Sequence, residues 1–494
     1  MKRILGVSLA ALAVAACSES SVSPASPDLP PAAPAGAIVT GDVTVANSNS
    51  AGAGSFRDAV EQANADPSIQ TIAFDPSVST INLESGVLFT GTQDLTIHGN
   101  HATIDGAGAG GAAFTATGGG DLTLIALTVR NAPGEGVRVE VPASATGTLT
   151  VSLSGVDIID NASHGILVND QVDPTTQDDV QPNADGSPAS VSVIVTDSRF
   201  IGNGYSVSDR DGLRVNEGGG GDLWLTLSGT RAEDNAADGV EIDERGAGDV
   251  HIDVSGTSFT RNGKFDPADL DDGFDVDEYN DGSITGTVVA SSASYNFEEG
   301  FDINENNAGD LRVDFTRVEA SWDGEEGIDL EEDDDFGAAG DPNGGGGDLV
   351  TVMNGIRTAG NGDGADGALK IREKEVGSLS ATLTDIVSTG NIGSGIFVRE
   401  SSDGSSVVSL EKVVSTANKA GALDPFSLGH GIELLETGGG NLTATVSKAT
   451  VAANTGNGIF GDETGAGTGA VTLTNVNGAG NTLGATGGGA TFLP

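Results

Sequence analysis

Short runs in which apolar and polar residues alternate recur along most of the chain. Residues 221–229 read GDLWLTLSG, residues 239–244 read GVEIDE and residues 257–262 read TSFTRN. An alternation with a period of two predicts β-strands, because successive side chains of a strand point to opposite faces. Glycine, asparagine and aspartate separate the runs, as is typical of turns. The pattern therefore predicts many short strands.

The runs belong to an internal repeat that ends in glutamate. In DGVEIDE (238–244), DGFDVDE (272–278) and EGIDLEE (326–332), a glycine is followed by alternating residues and a final glutamate. Aligned in this way, the glutamates are Glu217, Glu244, Glu278, Glu305, Glu332, Glu373, Glu400, Glu436 and Glu463. Five of the eight intervals between them are 27 residues, and the others are 34, 36 and 41. With three strands in each repeat, this period predicts an all-β fold, a single parallel β-helix whose coils bury their apolar faces against one another.

One segment near the start has a helical period instead. In SFRDAVEQANA (55–65), Ser55 and Asp58 have the spacing of a capping box. The apolar positions form one stripe and are Phe56, Ala59, Val60 and Ala63. We expect residues 38–110 to form an N-terminal cap and the first coils, with this helix over the open end of the first coil, and residues 111–494 to form the β-helix repeats.

The same region resembles a known group of proteins. GSFRDAVEQAN (54–64), followed by TIAFDPSVSTINL (71–83), is similar to the opening of bacterial right-handed parallel β-helix surface proteins. Their fold is that of pectate and pectin lyases, and the resemblance covers roughly residues 40–480. It implies a right-handed β-helix, but no particular activity, because this fold serves lyases, hydrolases, adhesins and passive surface proteins alike.

Composition narrows the choice of partners. The chain has 72 acidic and 22 basic residues, a formal charge of −50. A surface of this charge excludes nucleic acid as a partner, because phosphate groups require basic residues. Cations, above all Ca²⁺, are the expected small ligands.

The first residues predict export. Residues 1–17 read MKRILGVSLAALAVAAC, two bases followed by a short apolar run. The end of this run resembles the bacterial lipobox, which implies that Cys17, the only cysteine, is lipidated and anchors the protein to a membrane. Residues 18–37 are rich in serine, proline and alanine, as expected of an extended tether. We expect an outer-membrane lipoprotein; the alternative is an ordinary signal peptide with an incidental cysteine.

The residues that point away from the predicted core carry most of the candidate chemistry. In four successive repeats, the second and fourth residues after the glycine are Glu241 and Asp243, Asp275 and Asp277, Asp302 and Asn304, and Asp329 and Glu331. Lys370 and Arg372 occupy these positions in the next repeat. Stacked coils place equivalent residues about 4.8 Å apart. The sequence therefore predicts an acidic strip with basic residues beside it on the same face.

Two interpretations of this strip are open. Carboxylates in a cluster suit Ca²⁺, and the candidate ligands are Asp275, Asp277, Asp302, Asp329 and Glu331. The resemblance implies a sharper version. In polysaccharide lyases of this fold, Ca²⁺ bridges carboxylates to a uronate while an arginine or lysine removes the C5 proton, here Lys370 or Arg372. The local sequence patterns of pectate lyase active sites are missing, and the alternative is a solvated acidic face that keeps the protein soluble.

Two further columns are expected to be structural. The glutamates that end the repeats should accept N–H groups of the following turn; the alternative is a metal site. Stacking should raise some of their pKa values because like charges disfavour ionisation. An asparagine column resembles the asparagine ladders of β-helices and comprises Asn161, Asn203, Asn235, Asn262, Asn296, Asn391, Asn418 and Asn454. Aromatic residues that could stack on sugars, or be ordinary loop residues, are Tyr205, Trp224, Phe265 and Phe426.

Together these observations predict an exported, lipid-anchored β-helix protein. We expect a non-catalytic binding or structural role at the cell envelope, with Ca²⁺ as a cofactor and a polysaccharide or cell-surface glycan as partner. The alternative is a Ca²⁺-dependent lyase that acts on an acidic polysaccharide.

Overall fold

The protein is a right-handed parallel β-helix, as the repeat and the resemblance predict. The computed structural model describes residues 40–170, 186–206, 209–265, 270–333, 346–362, 367–374, 376–421 and 428–494. Within these residues there are one helix and 39 strands, which pair in parallel in two sheets. We call the 25-stranded sheet sheet 1 and the 14-stranded sheet sheet 2.

Sheet 1 contains the first two strands of each coil. Its strands are Val43–Val45, Thr71–Phe74, Thr80–Asn82, Leu95–Asp105, Leu122–Arg130, Gly147–Ser154, Asp157–Ile159, Ala189–Thr196, Arg199–Ile201, Leu223–Ser228, Arg231–Glu233, Val250–Ser255, Ser258–Thr260, Ile284–Val289, Ser292–Ser294, Leu311–Thr316, Glu319–Ser321, Leu349–Asn354, Arg357–Ala359, Leu379–Thr389, Ser406–Thr416, Leu442–Ser447, Thr450–Ala452, Gly469–Thr474 and Thr491–Leu493.

Sheet 2 contains the third strand of each coil, which ends at the repeat glutamate or one residue after it in the repeats from Glu217 to Glu463. Its strands are Val87–Phe89, Phe114–Ala116, Val137–Glu140, Ile166–Asn169, Leu213–Glu217, Val240–Glu244, Phe274–Glu278, Phe301–Asn306, Ile328–Asp333, Leu369–Glu373, Ile396–Glu400, Ile432–Glu436, Asn457–Glu463 and Gly484–Gly487.

Each coil turns at positions where the backbone is left-handed. In the coil that begins at Leu223, Gly229 (φ 61°) separates the two strands of sheet 1, and Asp234 (φ 54°) precedes the turn into sheet 2. Glycine, aspartate and asparagine tolerate this conformation better than branched residues. The 34-, 36- and 41-residue intervals leave the register unchanged, so Glu332 still pairs with Glu373. Insertions are therefore confined to the corners.

The core lies between the two sheets and is made of aliphatic residues and a few rings. Phe259 lies 5.2 Å from Phe274 and 5.6 Å from Phe301, measured between ring centroids. All three side chains are fully buried. Because each coil contributes only a few apolar residues, the core is stable only when neighbouring coils stack on it.

The predicted capping helix is present at Phe56–Ala65. The Ser55 side chain accepts a hydrogen bond from the Asp58 N–H (3.1 Å), and the stripe of Phe56, Ala59, Val60 and Ala63 is buried. The Phe56 ring lies 5.4 Å from Phe74 and 5.9 Å from Phe114. The helix therefore covers the apolar end of the first coils, as its pattern predicts.

The expectations for the first residues stay predictions. Cys17, the signal segment 1–17 and the tether 18–37 lie outside the described residues. In the described ranges the single helix has 10 residues, which is shorter than a membrane-spanning helix.

Candidate functional site

The outer face of sheet 2 carries the two columns that the repeat predicts. One column runs from Glu241 through Asp275, Asp302 and Asp329 to Lys370. The second column comprises Asp243, Asp277, Asn304, Glu331 and Arg372. The parallel register thus brings residues from five repeats, far apart in sequence, onto one face.

Much of this face is buried, which the alternative of a solvated acidic surface did not anticipate. Glu241, Asp243 and Asp329 are 1%, 0% and 3% exposed. A carboxylate removed from water must be paired, protonated or bound to a cation, because its desolvation is otherwise too costly. The two ends of the strip and its middle meet this requirement in different ways.

At the N-terminal end the carboxylates are paired with arginine. The Arg214 guanidinium contacts both Glu241 and Asp243, and Arg245 contacts the same oxygen of Asp243 at 2.6 Å. Both guanidinium groups are almost completely buried. This end of the strip is an internal ion-pair network.

At the C-terminal end the carboxylates are paired with lysine. Lys370 Nζ lies 2.6 Å from Asp329 Oδ2 and 2.5 Å from Glu331 Oε1. Burial alone would raise the pKa of Glu331, but the ammonium groups of Lys370 and Lys374 lower it to about 2. Burial alone would lower the pKa of Lys370, but Asp329 and Glu331 hold it well above its ordinary value. Lys370 is therefore a firmly protonated cation in this structure.

The middle of the strip has no such partner. Asp272, Asp275 and Asp302 each offer a carboxylate oxygen, and these oxygens lie within 4.8 Å of one another. Within the described ranges, none of the three forms an ion pair, and Asp275 Oδ1 and Asp302 Oδ1 are buried without a hydrogen bond. We call these three residues the carboxylate cluster.

The electrostatics of the carboxylate cluster follow from burial and like charge. Burial, and then Asp302 and Asp238, raise the pKa of Asp272 well above its ordinary value. Burial, Asp277 and Asp238 do the same for Asp275. Burial raises the pKa of Asp302 to about 6, although Lys370 opposes the shift. Without a cation, the cluster can keep its charge only at high pH.

The corner beside the carboxylate cluster adds more acidic side chains. Glu298 and Glu299 each place an oxygen within 4.8 Å of Asp272. Asp272 Oδ1 accepts the Glu299 N–H at 2.6 Å, which fixes its carboxylate at the junction of two coils. The carboxylate cluster therefore adjoins an acidic corner formed by Glu298 and Glu299.

The structure brings together some of the predicted ligands and separates others. Asp275 and Asp302 lie in the carboxylate cluster, whereas Asp329 and Glu331 are held by Lys370. Asp277 accepts hydrogen bonds from the Tyr279 hydroxyl (2.7 Å) and from Asn306 Nδ2 (3.3 Å). Burial and Asp243 raise the pKa of Asp277 to about 8. The candidate Ca²⁺ ligands therefore lie nearer to the corner that contains Asp272 than the sequence predicted.

Sequence reasoning missed Asp272. It occupies the position directly before the repeat glycine, which is acidic in five successive repeats: Asp211, Asp238, Asp272, Glu299 and Glu326. The signal was visible, but a residue in a turn has no fixed direction in a period-two pattern. The backbone N–H of Asp272 donates to Asp238, which shows that this position forms its own column.

Arg372, the other candidate base, lies beside a carboxylate of the strip as Lys370 does. Arg372 Nη1 lies 3.5 Å from Glu331 Oε1. Its side chain is only partly exposed. Both candidate bases of the lyase hypothesis are thus placed beside a carboxylate of the strip, and their catalytic role stays a prediction.

Two of the four aromatic residues that the sequence singled out, Tyr205 and Phe265, are exposed. Tyr205 and Phe265 are 47% and 39% exposed and meet edge to face at 6.0 Å. Trp224 instead stacks on His251 at 5.3 Å. An exposed stacked pair that the sequence did not reveal is Tyr295 and Trp322. Phe426 lies outside the described residues.

Neither a protein-family model nor the sequence of a characterised protein matches the chain. Solved structures with a similar fold include pectate lyase Pel9A, with 17% identity, 68% of this chain and 74% of that chain covered, and a TM-score of 0.39. The A-module of mannuronan C-5 epimerase AlgE4 from Azotobacter vinelandii has 13% identity over 90% of this chain and 100% of that chain, with a TM-score of 0.36. The catalytic domain of a GH87 α-1,3-glucanase has 13% identity over 90% and 66%, with a TM-score of 0.33. These likenesses concern the fold alone.

Proposed function

We propose that this chain is a non-catalytic β-helix protein of the cell envelope that binds Ca²⁺ in the carboxylate cluster. The observation that carries the proposal is the convergence of Asp272, Asp275 and Asp302 from adjacent coils without a counter-cation. The proposal keeps the expected lipid anchor at Cys17 and an outer-membrane location, with a polysaccharide or other cell-surface glycan as the macromolecular partner.

The donor set suits a hard divalent cation. Ca²⁺ takes six to eight oxygen ligands and tolerates irregular geometry, so three carboxylates at a corner, completed by water or by a ligand, can hold it. Asp329 supports the site from the next coil, since its Oδ1 is buried without a hydrogen bond while its Oδ2 binds Lys370. Binding would offset the repulsion that otherwise raises the pKa of Asp272 and Asp275.

The same geometry favours a binding role over the lyase alternative. A general base for proton abstraction works best when its pKa lies near the operating pH. The two carboxylates beside Lys370 hold its pKa well above the ordinary value, so the deprotonated form is scarce. The alternative, with Lys370 or Arg372 as base, stays a prediction.

The proposal is tested by measuring the melting temperature and the heat of Ca²⁺ binding. For the parent protein we expect a rise of several degrees, because a ligand at a hundred times its Kd stabilises the folded state by about 2.7 kcal/mol. The effect should be larger above pH 7 than near pH 5, because the carboxyl groups must lose protons before they bind the metal. Asp275→Asn with Asp302→Asn should abolish the calcium effect and raise the melting temperature of the metal-free protein, since it removes repulsion.

A matched control variant removes the same number of negative charges from sheet 1, away from the carboxylate cluster. Asp253→Asn with Asp314→Asn alters two exposed carboxylates on sheet 1 and should leave the calcium effect intact. If calcium stabilises the cluster variant as much as the parent protein, the cluster is not the site. If acidic polysaccharides incubated with the protein and Ca²⁺ gain the ultraviolet absorbance of an unsaturated uronate, the non-catalytic role is wrong.

A further inference from the structure

The glutamates that end the strands of sheet 2 form a column separate from the carboxylate cluster. The register pairs each with its equivalent in the next coil, from Glu217 to Glu463. We call this column the glutamate ladder. Its fully buried members are Glu217, Glu244, Glu278, Glu305, Glu332, Glu373, Glu400 and Glu436. A row of buried carboxyl groups at this spacing needs a physical explanation.

Turn formation accounts for one oxygen of most of these carboxyl groups, although neither oxygen of Glu305 accepts a hydrogen bond from the described residues. The N–H group two residues further along the chain donates to one oxygen, as from Gly246 to Glu244 (2.8 Å), from Ser402 to Glu400 (2.7 Å) and from Gly438 to Glu436 (2.9 Å). This is the corner role that the sequence predicts. In Glu244, Glu400 and Glu436 it satisfies one carboxyl oxygen and leaves the other without a hydrogen bond.

The second oxygens face one another along the column. Glu217 Oε1, Glu244 Oε2, Glu400 Oε2 and Glu436 Oε2 are buried and accept no hydrogen bond from the described residues. Adjacent coils are about 4.8 Å apart, so neighbouring carboxyl groups lie within reach of each other. Two carboxylates in this position repel, whereas one carboxylate and one carboxylic acid share a hydrogen bond.

We propose that the glutamate ladder is held together by shared protons, with alternate carboxyl groups protonated at neutral pH and each donating its single O–H group to the carboxylate of one adjacent coil. The glutamate ladder then stabilises the stacking of coils along one corner of the β-helix in a pH-dependent way. Acid strengthens this contact, and alkali removes the protons that join the coils in pairs.

The charges around the ladder support this reading. Glu400 is faced by Glu373 and Glu436 on the neighbouring coils, and burial raises the pKa of both Glu400 and Glu436 to about 7. At the other end, Glu217 is faced by Asp170 and Glu244. Burial raises the pKa of Glu217 to about 8 and that of Glu244 to about 12. Besides burial, the groups that shift these four pKa values are neighbouring carboxyl groups and backbone N–H groups.

The sign of the pH dependence follows from the direction of the shifts. A carboxyl group whose pKa is higher in the folded than in the unfolded state contributes stability that is complete below the unfolded value of 4.5 and is lost as the pH rises through the folded value. For Glu400, Glu436 and Glu217 the loss falls between about pH 4.5 and about pH 8. Each pKa unit corresponds to a tenfold change in the unfolding equilibrium constant.

The test compares Glu400→Gln with the parent protein at about pH 5 and about pH 9. Glutamine keeps an acceptor for the Ser402 N–H and carries a permanent donor, so it imitates the protonated acid. We expect its melting temperature to match that of the parent at the lower pH and to fall less at the higher pH, with at least a tenfold smaller change in the unfolding equilibrium constant. Infrared spectra of protein with isotope-labelled glutamate carboxyl carbons should show a carboxylic-acid band at pH 7.

Two controls separate the ladder from other carboxylates. Glu319→Gln removes an equivalent charge from sheet 1 and should leave the pH dependence unchanged. Asp275→Asn with Asp302→Asn removes two titrating groups of the carboxylate cluster. If Glu400→Gln still reduces the pH dependence of stability in this double variant, that part of the pH dependence comes from the glutamate ladder. The proposal is overturned if Glu400→Gln and Glu319→Gln respond alike, or if the labelled glutamates show no carboxylic-acid band at pH 7.

Discussion

Two ladders run along this β-helix, and they solve the same problem with different chemistry. In the asparagine ladder most side-chain amides donate to the next, as Asn235 Nδ2 does to Asn262 Oδ1 and Asn262 Nδ2 to Asn296 Oδ1, both at 3.0 Å. In the glutamate ladder, buried oxygens such as Glu244 Oε2 and Glu278 Oε2 have no partner among the described residues. Both columns are buried at corners where one coil stacks on the next.

The difference lies in what each side chain can donate. An amide carries donors and an acceptor, so a column of identical amides satisfies itself at any ordinary pH. A carboxylate only accepts, so a column of carboxylates requires protons from outside. A repeated residue is therefore not automatically a stable ladder, because its stability depends on its protonation state. The following substitutions test this comparison.

The largest effect is expected in the asparagine ladder. Asn262→Ala removes the oxygen that accepts from Asn235 N–H (3.1 Å) and Asn235 Nδ2, and the amide that donates to Asn296 and to the Ala232 carbonyl. Buried groups left without a partner cost about 1–3 kcal/mol each, so we expect a loss of at least about 3 kcal/mol in urea unfolding. The loss should be the same at pH 5 and pH 9; a strong pH dependence would contradict the comparison.

A stabilising change of intermediate size is expected at Asp323, the single acid in the asparagine ladder. Its Oδ1 accepts from Asn296, but its buried Oδ2 has no hydrogen bond to the described residues, and burial raises its pKa well above the ordinary value. Asp323→Asn supplies the missing donor and should raise the unfolding free energy by about 1–3 kcal/mol at pH 8. The gain should shrink at pH 4, where the acid is already protonated. An equal gain at both values would show that charge is not the cause.

The smallest effect is expected at the end of the glutamate ladder. Glu463 is only partly buried, accepts the Gly465 N–H at 2.8 Å and has a ladder neighbour on one side only. Glu463→Gln should change the unfolding free energy by less than about 0.5 kcal/mol, as is usual for accessible positions. A change as large as that of Glu400→Gln would mean that burial between two carboxyl groups is not what makes the ladder sensitive to pH.

Much of the fold could be predicted because the repeat is regular. The three strands per coil, the asparagine column and the glutamates that accept turn N–H groups all follow from a period near 27 residues and from alternation. The asparagine ladder also includes Asn361 and Asn481, which the repeat alignment overlooked. The helix at Phe56–Ala65 was predictable because its apolar stripe and its N-cap agree.

The candidate site was only partly predictable. The columns of Asp275, Asp302 and Asp329 follow from register, but the pairing of Lys370 with Asp329 and Glu331 depends on side-chain reach across the 41-residue interval. The contribution of Asp272 depends on the path of a corner, which alternation does not encode. Whether a residue on the outer face is exposed also depends on its neighbours: Asp243 is fully buried between two arginines.

The sequence by itself determined the parallel stacking, the register and the acidic character of one face, because these depend on which residue recurs at which position. Only the tertiary structure decided which carboxylates are paired, which share a turn N–H and which three converge without a cation. Pairing, burial and pKa depend on distances of a few ångströms between side chains of different coils, and these distances are set by the corners, where the repeat is least regular.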